Sequence, residues 1–302
     1  MIELTADCFN EICNDGPVRE QLGSLETNRA SAVKRFWTWA IISIVLAVVA
    51  FFTLFNSGWQ AMAFIVPIVL LVIGFMIGWM ALSKVSQGLK VPVLQAVAAK
   101  AGMEYMENGF SPPAYPEACK ALFGSWLSEQ RFSDLFHGKD DEGRNLAVYE
   151  AHLERGSGKN RQTVFQGQVY AFERRGGTGA TTVIVPDRGL FNFFKPLSGM
   201  ERVKLDSDPE FEKKFEVYGT SEMEARQLLF DTAFRQRLLE MRQKGRVFVY
   251  IGGDVLVAAS GGDKFETGSM LRNRPGDDRV RSMVNDVCDA LATLRALKAK
   301  LG

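Results

Sequence analysis

From Phe36 to Ser83 the chain carries no Asp, Glu, His, Lys or Arg. No other feature restricts its fold as much, because a soluble core helix of that length seldom lacks a charged outer face. Within this run, Trp37 to Phe55 and Ala61 to Leu82 are almost wholly apolar. As helices they would be about 28 and 33 Å long, each enough to cross a hydrocarbon core. The link Asn56-Ser57-Gly58-Trp59-Gln60 is short, polar and turn-forming, so the two spans are predicted to form an antiparallel hairpin. Trp37, Trp39, Trp59 and Trp79 fall near the span ends, where indoles settle at the headgroup level. A cleaved signal peptide fits poorly, since the run follows 35 mostly polar residues and is too long for an h-region.

Charge asymmetry sets the expected orientation. Arg29, Lys34 and Arg35 precede the first span, Lys84 and Lys90 follow the second, and the connecting loop has no charge. The positive-inside bias then places both termini in the cytoplasm and the loop outside. No ionisable residue interrupts either span, so the hairpin reads as an anchor and not as an ion path. Gly74 and Gly78 form a GxxxG in the second span, a spacing that lets helix backbones approach closely. It serves either packing on the first span or self-association.

Outside the spans the sequence is ordinary globular material with 36 Lys+Arg against 35 Asp+Glu, which provides no field to recruit nucleic acid. Residues 1–36 are expected to be a cytoplasmic amphipathic helical lead-in, 37–83 the membrane hairpin, and 84–302 a cytoplasmic α+β domain. In the lead-in, Val18, Leu22, Leu25, Arg29, Ala32 and Phe36 recur at spacings of three and four, with Arg29 interrupting the stripe. A helix is expected over Val91 to Ala101, with Pro92 in its first turn and Gly102 as its C-cap.

The period then changes. Asn145 to Glu154 and Thr163 to Glu173 alternate apolar with polar residues, as half-buried strands do, and Thr181 to Val185 and Gly189 to Phe194 continue the pattern. Glycine-rich links at Gly156-Ser157-Gly158 and Gly176-Gly177-Thr178-Gly179 suit hairpins, so an antiparallel sheet flanked by helices is favoured over a parallel one. Ser221-Glu222-Met223-Glu224 is a capping box, and Asp231 is placed to cap a second short helix. Arg246 to Ile251 and Asp254 to Ala259 predict a hairpin around Gly252-Gly253. A last helix from about Asp278 carries Val280, Val284, Val287, Leu291, Leu294 and Leu301 on one stripe, which needs the sheet or a second copy as partner.

Chemistry is sparsely signalled. The only histidines, His137 and His152, could meet on neighbouring strands, but no metal-like spacing accompanies them. Together with Arg174 and Arg175 they are the candidates for ligand contact. Lys139 and Arg144 join those arginines at one end of the strands, where Asp140, Asp141 and Glu142 dilute the positive charge. The Gly176 to Thr182 stretch lacks the Gly-Lys-Ser/Thr of a phosphate loop and reads as a turn. Asp206-Ser207-Asp208 lacks the offsets of a calcium loop. Cys8, Cys13, Cys119 and Cys288 form no CxxC and are expected to be reduced thiols. With no catalytic constellation, no catalytic, cofactor or metal residue is assigned, and an enzyme is not the favoured reading.

The ordered segments Val164 to Glu173, Phe211 to Tyr218 and Glu224 to Leu229, placed after a membrane hairpin, resemble a bacterial family of two-pass membrane proteins known as domain of unknown function 3137. The resemblance implies membrane location and transfers no catalytic residue. Gly167 in the first segment suggests a bulge or close backbone approach. The expected function is a membrane-anchored cytoplasmic interaction or scaffolding module that engages a protein partner or self-associates. The alternative is a membrane-tethered enzyme or small-ligand sensor with a pocket in the α+β domain.

Overall fold

The computed structural model describes residues 6–124, 126–177, 179–187, 199–205, 208–262 and 265–301. The chain divides into two compact units. Among the described residues one is helical and comprises 6–97 with Glu266–Asn285; the other bears the sheet and comprises 98–265 with 286–301.

The helical unit starts with α1 (Ala6–Asn14), then α2 (Gly16–Asn56) and α3 (Gln60–Lys100). Both long helices are long and apolar enough to cross a membrane, and only 17% of each apolar window is buried, far less than in the core helix of a soluble protein. Large side chains such as Ile41, Val45, Phe64, Ile68 and Trp79 stand exposed around them, a surface that water would penalise. One stripe of α2 is covered: Val18, Leu25, Arg29, Ala32, Phe36, Ala40, Ser43 and Ala47 recur at spacings of seven, four and three. Arg29 therefore lies on that stripe instead of breaking it, with its guanidinium donating to Met270 O at 3.4 Å and Asn273 Oδ1 at 3.1 Å. Gly74 and Gly78 face α2: a Cβ at Gly74 would collide with Ser43, and one at Gly78 would come within 2.9 Å of the Phe36 ring.

The expected separate helix over Val91 to Ala101 is the last part of α3, with Pro92 in the helix interior. No turn-forming sequence separates Ser83 from Lys90, and Leu89, Val93, Leu94 and Val97 continue a buried stripe, so packing offsets the hydrogen bond that proline forfeits. The helix stops where expected, with Gly102 at φ +68° and Met103 N donating back to Ala98 O at 2.9 Å.

The other unit contains β1 (Glu104–Met106), α4 (Tyr115–Phe123), β2 (Glu129–Lys139), β3 (Asn145–Arg155), β4 (Gln162–Glu173), β5 (Thr181–Pro186), β6 (Glu201–Val203), α5 (Pro209–Glu212), β7 (Phe215–Gly219), α6 (Glu222–Phe230), α7 (Thr232–Lys244), β8 (Val247–Gly252), β9 (Val255–Gly261) and the second half of α8 (Gly276–Leu301). Its class is α+β. Among the described residues nine strands form one sheet in the order β1-β2-β3-β4-β9-β8-β5-β7-β6, and every pairing is antiparallel.

The order corrects one expectation. β3 and β4 are joined as a hairpin, but the Gly176-Gly177 link does not fold β5 back onto β4, because the β8–β9 hairpin lies between them. Gly177 passes so close to the β8–β9 turn that a Cβ there would collide with Gly253 O and the Asp254 carboxylate. Glycine at 177 therefore serves that passage and not a two-strand turn. The Gly189 to Phe194 strand expectation lies outside the described residues.

Alternation sorts the two faces. Leu135, Tyr149, Leu153, Phe165, Val169, Val183 and Phe248 pack under Ala118, Leu122 and Phe123 of α4. On the opposite face Phe136 stacks edge-on against Phe265 at 5.4 Å between ring centroids, and Arg237 of α7 donates to Thr293 of α8 at 2.7 Å. In this part of α8, Val287, Leu291 and Leu294 of the expected stripe are buried. Both residues cap their helices: Ser221 Oγ accepts from Glu224 N at 3.4 Å, which is the hydroxyl half of the capping box, and Asp231 accepts from Ala233 and Phe234 N at 2.8 and 3.1 Å.

Candidate functional site

Small side chains on the α4 face of β2, β3 and β4 leave space where α4 does not reach. The result is a cavity of about 620 Å³, within the range of small-molecule sites. Its floor includes Ala147 and Ala171, its wall Leu135 and Val255, and its roof Phe110, Pro113 and Ala114 from the proline-rich segment before α4. Four polar side chains break the apolar lining: Ser111, His137, Asn145 and Glu173.

These polar groups differ in how far they are already engaged. Glu173 accepts from Asn145 N at 2.9 Å and from Asn145 Nδ2 at 2.6 Å, and these bonds hold its carboxyl below the usual carboxylate range. His137 is less satisfied. Its Nε2 is buried and has no hydrogen-bond partner among the described residues, and the Glu104 carboxylate stands 3.5 Å away. A buried polar nitrogen left unbonded costs about 1–3 kcal/mol, so a ligand that engages it recovers that cost.

The family model described as protein of unknown function (DUF3137) matches residues 163–298. This segment is thus similar to that domain of unknown function. All three segments that carry the resemblance noted above fall inside it. No curated protein matches the chain. The crystal structure of the mycobacterial trehalose monomycolate transport factor A is similar at 13% identity, covering 67% of this chain and 93% of that one, with a TM-score of 0.38. At that level the likeness carries no argument about function. The cavity straddles the start of the DUF3137 match: Ala171, Glu173 and Val255 lie within it, and His137, Asn145 and Ala147 precede it.

The two histidines do not meet. His137 pairs with Ala147 and His152 with Arg131, so they are five residues apart along β3, roughly 17 Å, and face opposite sides of the sheet. His152 Nε2 lies 2.9 Å from Glu154 Oε1, and Arg161 joins the same carboxylate at 3.1 Å. Arg174 is half-buried, its backbone N–H donating to Asp254 O at 2.6 Å, and burial pulls its guanidinium below its ordinary pKa. Arg175 is exposed and pairs with Glu142 at 2.8 Å. Asp206 and Ser207 lie outside the described residues; Asp208 caps α5 through Phe211 N at 3.1 Å and pairs with Arg235 at 2.7 Å. Among the described residues no three His, Cys, Asp or Glu side chains are grouped to hold a metal ion.

Of two buried carboxylates, Asp134 escaped the sequence reading and Asp140 was read only as diluting a positive patch. Asp134 is the extra residue of a bulge in β2, with φ at +56°, and it accepts from Tyr105 Oη at 2.7 Å. Burial, then the adjacent Asp134, pushes the Tyr105 phenol far above its ordinary range, so it stays a donor and pins the bulge. Asp140, in the β2–β3 turn, accepts from Glu142 N at 2.9 Å and Arg144 N at 2.8 Å, and pairs with Arg144 at 2.8 Å and Lys298 at 2.5 Å. The acidic residues of this turn thus bind the nearby cations instead of diluting a free positive patch.

Burial alone would raise the Asp140 carboxyl, but Lys298, Arg144 and the turn amides outweigh it and hold it far below the usual range. A depressed carboxyl stabilises the fold fully above its unfolded value, about pH 4, and loses that contribution as pH falls toward the folded value. Asp140→Asn is therefore expected to cost about 2 kcal/mol at pH 7. The gap in melting temperature between variant and wild type should narrow as pH falls from about 5 to 3; a constant gap would contradict the assignment.

Proposed function

We propose that this protein is a two-pass anchor of the bacterial inner membrane, with both termini cytoplasmic, whose sheet domain binds a small, largely apolar ligand. The cavity beside His137 carries the ligand reading: it has the volume of a small-molecule site, a largely apolar lining and one buried nitrogen that makes no hydrogen bond, with the Glu104 carboxylate 3.5 Å away. The exposed apolar surface of α2 and α3, and the cations that flank an uncharged loop, support the anchor and its orientation. On this reading residues 1–36 lead into the membrane, 37–83 cross it and return, and 84–302 form the cytoplasmic part.

Ala147→Phe would fill the cavity floor. Ligand-observed NMR against water-soluble compounds, using the full chain in nanodiscs, is expected to yield binders that lose about tenfold or more in affinity with the variant, at least ~1.4 kcal/mol. Binders that engage wild type and variant alike, with the fold intact by circular dichroism, would remove the cavity from the argument. A second reading, recruitment of a protein partner, draws on Met223 and Phe230, which are exposed one heptad apart on α6. A photo-cross-linker at Phe230 in native membranes tests it, and an absence of adducts counts against it.

A further inference from the structure

Met270 belongs to the loop between β9 and α8, yet its side chain packs with Ala32 and Phe36 of α2 and with Leu82 of α3. Phe36 and Leu82 mark the two ends of the charge-free run on the side of the chain termini. The loop is held at this level by Lys90 Nζ to Glu266 at 2.9 Å, by the Ser86 and Thr267 hydroxyls at 2.6 Å, and by Arg29. Consecutive Cα atoms are 3.8 Å apart, so Leu271 and Arg272 stand within about 8 Å of the Met270 backbone.

Charge within the loop itself has one sign, and the acidic residues at its edge, Glu266 and Glu26, are engaged by Lys90 and Arg29. Between Glu26 and Glu104 the chain has no acidic residue, and between Glu266 and Asp277 it has none either. Arg35 and Lys84 are exposed and flank the stripe that Met270 covers, and Arg272 is exposed beside it. Among the described residues none of these three enters an ion pair. Leu271, also exposed, is an apolar side chain adjacent to Arg272 in the same loop.

We propose that the loop from Gly268 to Pro275 is a membrane-surface lip that binds anionic phospholipid headgroups through Arg272, Arg35 and Lys84, with Leu271 inserted among the acyl chains. The cations are exposed, unpaired and continuous with the spans, and a basic side chain at an anionic surface is worth about 1 kcal/mol. The proposal rests on the membrane-spanning reading but not on the cavity.

The test uses the full chain reconstituted into bilayers containing spin-labelled phosphatidylglycerol or phosphatidylcholine, with the fraction of motionally restricted label as the readout. Wild type is expected to prefer phosphatidylglycerol, and Arg272→Gln to weaken that preference by about fivefold, the equivalent of one such charge. Arg272→Lys, which keeps the charge, should retain it, and about 1 M salt should abolish it. No preference in wild type, or equal losses in R272Q and R272K, would overturn the proposal. Alkaline carbonate extraction separates the two failures: release of the chain sinks the spanning reading itself, whereas retention without lipid preference sinks only the lip.

Discussion

Replacement of Arg279 by leucine is expected to destabilise the helical unit by about 4 kcal/mol, among the largest effects of any single substitution. The side chain is 1% exposed, and its guanidinium serves five backbone carbonyls. Nη1 donates to Thr267 O at 2.8 Å and Gly268 O at 3.4 Å, Nη2 to Ser269 O at 3.1 Å and Arg272 O at 2.8 Å, and Nε to Arg274 O at 3.3 Å. Burial pulls its pKa down, with Arg274 and Arg29 adding to the effect, but a guanidinium remains charged at neutral pH. Leucine fills part of the volume and leaves those carbonyls unpaired, at about 1–3 kcal/mol for each that water cannot reach. Arg279→Lys should recover part of the loss, since an ammonium donates three bonds without the planar fork. Thermal unfolding in detergent gives the magnitude, and limited proteolysis between Glu266 and Gly276 gives the location. A leucine variant that melts with wild type and resists cleavage would show that the loop holds itself.

Gly167→Ala should cost about 3 kcal/mol, although it adds a single methyl group. Gly167 stands in β4 opposite Ala151 on one side and Gly261 on the other. An added Cβ would collide with Ser260 O and come within 2.8 Å of Gly261 Cα and 3.0 Å of Gly262 N. All three obstacles are backbone, so no side chain can swing away and the β4–β9 ladder itself must part. Gly23→Ala in α2 is the control, because nothing lies within 4 Å of its added Cβ and alanine favours a helix. Denaturant unfolding of both variants decides the matter: equal midpoints would mean that β9 is not seated where the register puts it.

The candidate site was legible only in part. His137 drew notice through its rarity, and the glycine at 167 through its place in an alternating strand. His152 drew equal notice and lies on the other face of the sheet with its own carboxylate partner. Nothing local distinguishes the two, because which face a strand residue takes depends on its register with neighbours far along the chain. The unbonded state of His137 Nε2 has no sequence signal. It follows from β1 folding back onto β2, which leaves Glu104 as the nearest carboxylate.

The sequence by itself determined the two long apolar helices, their flanking charges, the hairpin turns at Gly156-Ser157-Gly158 and Gly252-Gly253, the caps at Ser221 and Asp231, and the α+β class. Each rests on residues within a turn or two of one another, where side-chain type alone decides the energy. Tertiary structure decided the insertion of β8 and β9 between β4 and β5, the bulge at Asp134, the cavity under Phe110 and Pro113, and the carbonyl cage around Arg279. Period-two alternation shows that a strand is half-buried but is silent on its partner. Partners are chosen by the burial and hydrogen bonding of segments that meet only when the whole chain has folded.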